Sequence, residues 1–312
     1  MSNEVFIVLE QVVIISILLI IGFLSIKMNI LTIAMYEGVA KFTIHIALPA
    51  LIFSIITKLG GRQAILDNLS ACLISFILIW CVFAIGHIVA RLSGLEKPTK
   101  GTHVSATAMG NVGYIGVPMV GALYGSEGLI ILSVYMIFDL LFNWTIGLSF
   151  MESEKTDTLA IRLKRLITPL NIMLMLSLVF LFLNVQPSGL IFDTIKNLGS
   201  TTKYLSIIYL GAMLAVVSLR GAHKEFSLYL HALVKLILFP VAVYWVGNYI
   251  FMIPPIMLKS FVILMALPTM PSLPIFAKQK GGDEAYAVKI TFLSTLKSLV
   301  TIPLVVFIIS FM

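Results

Sequence analysis

Ala266-Leu267-Pro268-Thr269-Met270-Pro271-Ser272-Leu273-Pro274 places three prolines within seven residues of an apolar run. Proline has no N–H, and its ring clashes with the carbonyl four residues back, so no regular helix passes through this stretch. An earlier apolar run carries a second breaker cluster, Thr107-Ala108-Met109-Gly110-Asn111-Val112-Gly113-Tyr114-Ile115-Gly116-Val117-Pro118. Three glycines weaken that helix and Pro118 removes a donor. At membrane depth an unwound backbone is tolerated only where protein or a wet cavity satisfies it. Both segments are therefore expected to be interrupted, at 110–118 and 268–274, and to cross near the midplane. Half-helix N-termini at such breaks carry partial positive charge and free N–H groups, which suit an anion. A plain packing kink is the competing reading for either segment, since Gly and Pro are common in membrane helices.

The surrounding sequence makes membrane depth the right frame. Of 312 residues, 60% are hydrophobic and 11% charged, where a soluble domain is about 25% charged. Apolar runs cover 5–26, 33–56, 68–91, 102–123, 127–150, 169–187, 201–219, 226–248, 257–277 and 285–311. A hydrocarbon core needs about 20 apolar residues per helix, so these predict ten spans in an all-α integral membrane protein. The net charge of +7 does not point to nucleic acid, because the cations sit in short loops between spans. With the N-terminus outside, the inner loops hold Lys27, Arg91, Lys97, Lys100, Lys155, Arg162, Lys164, Arg165, Arg220, Lys224, Lys278 and Lys280. The outer loops hold Lys58, Arg62, Lys196, Lys203 and Lys259. By the positive-inside rule both termini face out, in the plasma membrane. In the linker 151–168, Leu159, Leu163, Leu166 and Ile167 share one helical face beside basic residues. That pattern suits either a helix lying on the anionic inner leaflet or a plain solvated loop. Residues 5–26 have no basic leader before them and read as a retained span. Cys72 and Cys81 fall on no metal-ligand spacing and read as packing residues.

A shift of 156 residues, half the chain, carries 68–91 onto 224–247, 102–123 onto 258–279 and 127–150 onto 283–306. Gly125 falls on Gly281, and Pro118 and Pro274 are each followed nine residues later by an acid, Glu127 and Asp283. Two five-span repeats, 1–150 and 169–312, are expected. Five is odd, so the second repeat is inverted, an arrangement found in secondary transporters. Any ten evenly spaced spans would superpose under such a shift, but matching breaker clusters would not follow from even spacing alone.

Charges within spans are functional suspects because burial in lipid is costly. Asp139 lies at the middle of the fifth span. It is either a titrating or substrate-orienting group, or a buried partner for a lysine. Lys289 and Lys297 sit two turns apart on the tenth span. They could line an anion path, or pair with Asp139 or with carbonyls; Lys297 is expected deep, and Lys289 is expected to snorkel inward. Lys41 and His45, one turn apart on the second span, suit either charge compensation or a hydrogen-bonded scaffold. Lys235 stays ambiguous. His87, His103 and His231 lack metal-ligand spacing and read as structural or interfacial. Trp80, Trp144 and Trp245 read as interface anchors.

The run Gly110-Asn111-Val112-Gly113 with Pro118, and Ala47-Leu48-Pro49-Ala50, resemble the auxin efflux carrier family of permeases. So do the ninth-span prolines, Gly282-Asp283, and Ser294-Thr295-Leu296 followed by Ile302-Pro303-Leu304. The resemblance covers essentially the whole chain. It implies ten helices in two inverted repeats, with broken fourth and ninth helices that cross. It also implies a scaffold from 5–56 and 169–219, and a moving transport domain from 68–150 and 226–311. Bacterial members of the family are permeases of malate, malonate and related organic acids, and plant members carry auxin, so a small organic anion is the implied substrate. The family's crossover asparagine matches Asn111. Plant members carry a second asparagine where this chain has Tyr114, which speaks against auxin itself.

The expectation is a secondary active transporter of a mono- or dicarboxylate working by alternating access. The substrate site is expected to draw on Gly110, Asn111, Val112, Gly113, Tyr114, Pro118, Pro268, Thr269, Pro271, Ser272 and Pro274. No cofactor or metal is expected; coupling to a proton or sodium ion, and a homodimer through the scaffold helices, stay open. A channel or passive facilitator is the alternative, though no polar stripe is evident through consecutive spans. Enzyme motifs such as His-Glu-x-x-His or Gly-x-Ser-x-Gly are absent.

Overall fold

The computed structural model describes residues 3–58, 61–151, 167–216 and 225–311. Among these there is no strand, and helices account for nearly all of the chain. In order they are α1 (Asn3–Lys27), α2 (Ile33–Phe42), α3 (Leu48–Ile56), α4 (Arg62–Leu66), α5 (Leu69–Leu92), α6 (Thr99–Ala108) and α7 (Val117–Phe142). There follow α8 (Pro169–Phe182), α9 (Leu190–Val216), α10 (Phe226–Leu233), α11 (Phe239–Tyr249), α12 (Pro255–Ala266), α13 (Leu273–Lys280) and α14 (Glu284–Ser310). Among the described residues, five helical stretches are long and apolar enough to cross a membrane: Ile33–Ile56, Leu69–Leu92, Val117–Met151, Phe226–Tyr249 and Glu284–Ser310. The surface helix expected around 159–167 falls mostly outside the described residues, as do Lys155, Arg162, Lys164, Arg165, Arg220 and Lys224.

Local sequence accounts for the ends and joints. Thr32, Thr168 and Asp283 cap α2, α8 and α14 by accepting from the amides of Met35, Asn171 and Tyr286. Widened π-turns at Thr43–Ala47, Val112–Gly116 and Val234–Leu238 each end two residues before a proline, at Pro49, Pro118 and Pro240. The missing proline N–H and the crowding of its ring against the preceding turn explain why the helix widens there rather than stopping. Gly125 has φ 59 and ψ −143 inside the α7 run. Only glycine adopts that conformation without strain, and the kink separates the expected spans 102–123 and 127–150. The seventh expected span, 201–219, needs correction. Its helix α9 begins eleven residues earlier, at Leu190, because Asp193, Lys196 and Asn197 make those first turns helical without making them apolar.

The chain forms two compact units, one from 18–73 and 154–216, the other from 1–17, 74–153 and 217–312. In the first, Phe53 meets Phe180 and Phe192 with ring centroids 5.4 and 6.4 Å apart. Tyr36 stacks on Tyr209 at 4.7 Å, and their hydroxyls are 3.2 Å apart. Gly22 of α1 lies against the Ile208 carbonyl of α9, and Gly211 of α9 against the Leu19 carbonyl of α1. Two glycines let these backbones touch, which is how helices associate where lipid supplies no hydrophobic drive.

In the second unit the outward face of α5 is apolar and exposed at Phe76, Ile77, Trp80 and Ile88. On α14, Leu296, Val300, Leu304 and Phe307 are likewise exposed, while Thr291, Ser294, Thr295, Ser298 and Thr301 form a buried stripe on the opposite face. An apolar exterior around a hydroxyl-rich interior suits lipid rather than water. Trp144 departs from expectation. It is buried, edge-on to Phe276 at 4.8 Å, and is no interface anchor.

Candidate functional site

The site lies within the second unit, where the two interrupted segments meet. α6 ends at Ala108, and the main chain opens at Met109 (ψ 78) and Asn111 (ψ 56) before the turn at Val112–Gly116. α12 ends at Ala266, Leu267 is extended (ψ 140), and α13 starts at Leu273. The openings are thus 109–111 and 267–272, narrower than the 110–118 and 268–274 expected. Pro118 and Pro274 belong to the first turns of α7 and α13, where a missing N–H costs nothing.

Gly110 and Thr269 form an antiparallel bridge. The Asn111 amide donates to the Pro268 carbonyl at 2.8 Å, and the Met270 amide to the Met109 carbonyl at 2.9 Å. Gly110 N–H turns back to the Ala108 carbonyl, so the Ala106 carbonyl loses its helical partner. Thr269 Oγ1 donates to that carbonyl at 2.9 Å, and Thr269 N–H donates to Ser294 Oγ at 3.2 Å. Each broken segment therefore repairs the other's backbone, as burial demands. This corrects part of the anion-site expectation: the amides of Asn111, Thr269 and Met270 are already engaged.

What stays unsatisfied is side chain. Asn111 is 1% exposed, yet neither Nδ2 nor Oδ1 has a hydrogen-bond partner. Ser272 Oγ, in the opposite segment, and Thr291 Oγ1 of α14 are buried and unpartnered too. A buried, unpaired amide costs about 1–3 kcal/mol, a cost that a bound polar group or an ordered water would remove.

Lys235 is the residue whose role the sequence left open. Its ammonium, buried in the π-turn Val234–Leu238, donates to the Met265 carbonyl at 2.7 Å. That carbonyl is an orphan of α12's last turn, made so by the break, and a cation there also complements the helix dipole. Asp139 is buried on α7, accepts from Asn143 Nδ2 at 2.8 Å, and has Tyr135 Oη at 3.4 Å. The cation whose charge acts on its carboxyl is Lys235.

The remaining expected residues are placed as follows. Val112 is buried beside the opening, and the Tyr114 side chain lies outside the described ones. Gly113 is half-buried in the π-turn, and Pro271 lies in the second opening. Lys297 is half-buried, 3.8 Å from the Tyr229 ring centroid, and is not Asp139's partner. A cation over an aromatic face needs no carboxylate to hold it. Lys289 pairs with Glu225 rather than snorkelling alone. Lys41 and His45 belong to the other unit, exposed, with His45 Nδ1 2.9 Å from the Lys41 carbonyl oxygen.

The model of the family described as membrane transport protein matches residues 7–306. This chain belongs to that family, the auxin efflux carrier family. It is a multi-pass membrane transporter and not an enzyme. Among similar family proteins is one of Rhizobium meliloti named "Putative malonate transporter", 24% identical over 84% of this chain and 83% of that one. Another is an uncharacterized transporter of Methanothermobacter thermautotrophicus, 23% identical over 95% of this chain and 96% of that one. An uncharacterized transporter of Methanocaldococcus jannaschii is 29% identical over 39% of this chain and 40% of that one.

Proposed function

We infer that this family member is a secondary active transporter of a small organic anion, a mono- or dicarboxylate of malonate or malate size. The observation that carries the reading is the Asn111 amide, buried and unpartnered between two mutually repaired breaks. Its Nδ2 offers two donors to a carboxylate, and Ser272 Oγ offers a third. Lys235 adds positive charge beside the break, with Asp139 limiting the excess. The name of the Rhizobium meliloti relative supports the substrate class. The reading includes ten spans in two inverted repeats, broken helices that cross, and both termini outside the plasma membrane. The unit built on 74–153 and 217–312 would be the moving transport domain, and 18–73 with 154–216 the scaffold; the division into two compact units supports this except at 1–17, which cluster with the former unit rather than with the scaffold. Alternating access needs such a pair of bodies.

The test is purified protein in liposomes with radiolabelled malonate, malate and monocarboxylates under imposed proton and sodium gradients. Saturable, gradient-accelerated uptake and counterflow of one carboxylate are expected. Flux that never saturates and shows no counterflow would replace the carrier with a channel.

A further inference from the structure

Two histidines far apart in sequence meet inside the second unit. His103 of α6 and His231 of α10 are 0% and 1% exposed, with ring centroids 5.4 Å apart at 84°. Their hydrogen bonds favour one tautomer at each ring. Thr107 Oγ1 donates to the His103 carbonyl at 2.9 Å, so at 3.2 Å it accepts from His231 Nδ1–H. Tyr286 Oη donates to Ser227 Oγ at 2.9 Å, so at 2.8 Å it accepts from His103 Nδ1–H. Both Nε2 atoms are then bare lone pairs, and both are buried without a partner. Two unpaired imidazole lone pairs in a dry interior are costly unless something occupies them.

We propose that the His103–His231 pair is a buried proton site that loads together with the substrate anion. A transition metal would want three or four ligands, and among the described residues no such cluster exists; one proton needs only a lone pair. A cavity comes within one hydrogen bond of the pair. Tyr286 and Ser227 line a cavity of about 370 Å³ shared with Glu225, Asp283 and Lys289. On the other side of the pair, His231 meets Thr107, in the last turn of α6 before the break at Met109–Asn111.

The charges facing the pair explain the coupling. Those acting on His231 are the cations Lys235 and Lys297. From α14, Tyr286 faces His103 and Lys289 is held by Glu225; on α10, Tyr229 is covered by Lys297. α5 brings Gly86 against Val104 and Thr107, while His87 turns to Phe150 at 5.0 Å. The turns at 143–151 carry no titratable side chain. An imidazolium in this cationic setting is balanced when an anion occupies the adjoining breaks. Proton and anion then favour each other's binding, reciprocally.

This inference rests on the transport reading above, and the experiment separates the two. Wild type, His231→Asn and His103→Asn are reconstituted with radiolabelled malonate; asparagine keeps a donor near the Nδ1 position and removes Nε2. In wild type an inward proton gradient accelerates uptake, and malonate entry alkalinises the outer medium. Both variants should continue malonate counterflow at equal pH and lose both proton effects. A variant that keeps them, or a wild type that exchanges malonate without them, overturns the proposal. If wild type exchanges no carboxylate at all, the transport reading fails instead. The proton site is then decided by ¹⁵N-imidazole spectra of the wild type in lipid, which also serve if the variants misfold. With malonate present, proton uptake at either ring between about pH 5 and 8 supports it, and two rings neutral throughout overturn it.

Discussion

Asn111→Ala separates a binding asparagine from a structural one. A structural asparagine deep in a protein holds hydrogen bonds, and its truncation strands the partners at about 1–3 kcal/mol. Here no partner exists to strand, because both side-chain polar atoms are unpaired. The main-chain bond from the Asn111 amide to the Pro268 carbonyl survives the substitution. Alanine also removes a buried, unsatisfied amide. The empty protein should therefore unfold at the same temperature as wild type or higher. Substrate affinity should move the other way. A hydrogen bond to a charged group contributes about 1.5–3 kcal/mol, or roughly 10- to 150-fold in affinity. The assay pairs thermal unfolding in detergent, with and without malonate, with carboxylate counterflow in liposomes. Wild type should be thermally shifted by substrate, and Asn111→Ala should need 10- to 150-fold more substrate for the same shift. A variant that is less stable when empty yet binds malonate as wild type does would make Asn111 a structural residue and remove the observation on which the proposed site depends.

Further expectations follow from other contacts. Asp139→Asn removes the carboxylate whose charge acts on Lys235 and should destabilise by about 1–3 kcal/mol. Asp139→Asn with Lys235→Met should lose less than the two single variants together; strict additivity in thermal unfolding would refute the partnership. Gly211→Ala drives a Cβ into the Leu19 carbonyl and should cost about 1–3 kcal/mol. Gly38→Ala, with nothing within 4 Å, should stay within about 0.5 kcal/mol of wild type or gain stability; equal losses at both would mean α1 and α9 do not touch through these glycines. Cysteines placed at residues 2 and 312 should react with an impermeant thiol reagent in intact cells. Protection at either end contradicts the ten-span topology with both termini outside.

The helical elements were legible because burial in lipid writes them as apolar runs: Ile33–Ile56 begins and ends where its run does. Breaker chemistry was legible as well, since Pro268, Pro271 and Gly110 act locally. Less legible was anything set by a partner remote in sequence. Lys235 reads as one lysine among apolar residues. Its acceptor, the Met265 carbonyl, is available only because α12 ends a residue later at Ala266. His103 and His231 carry no ligand spacing because they come from helices in opposite halves of the chain, and only the packed unit brings their rings together. Lys297 misled for the converse reason. Its depth along the helix suggested a need for a carboxylate, but the ring of Tyr229 meets that need.

The two breaks also explain how such a site survives in a folded protein. An opening in a membrane helix exposes donors and acceptors that together could cost more than a domain's whole stability. Here the cost is confined by symmetry of repair. Asn111 N–H and the Met109 carbonyl on one side meet the Pro268 carbonyl and Met270 N–H on the other. Thr269 closes the Ala106 carbonyl, and Lys235 closes that of Met265. The backbone is made whole without a ligand, and the unmet demand falls on the side chains of Asn111 and Ser272. Side chains can be exchanged without breaking the repair, so on the proposed reading a chain with this framework could change its substrate by altering the residues at 111 and 272 while Pro268, Pro271 and Gly110 keep the segments open. On the proposed reading, selectivity and fold then rest on different atoms of the same short stretches, which is why the asparagine, and not the glycine before it, is the residue whose loss should weaken binding and spare stability.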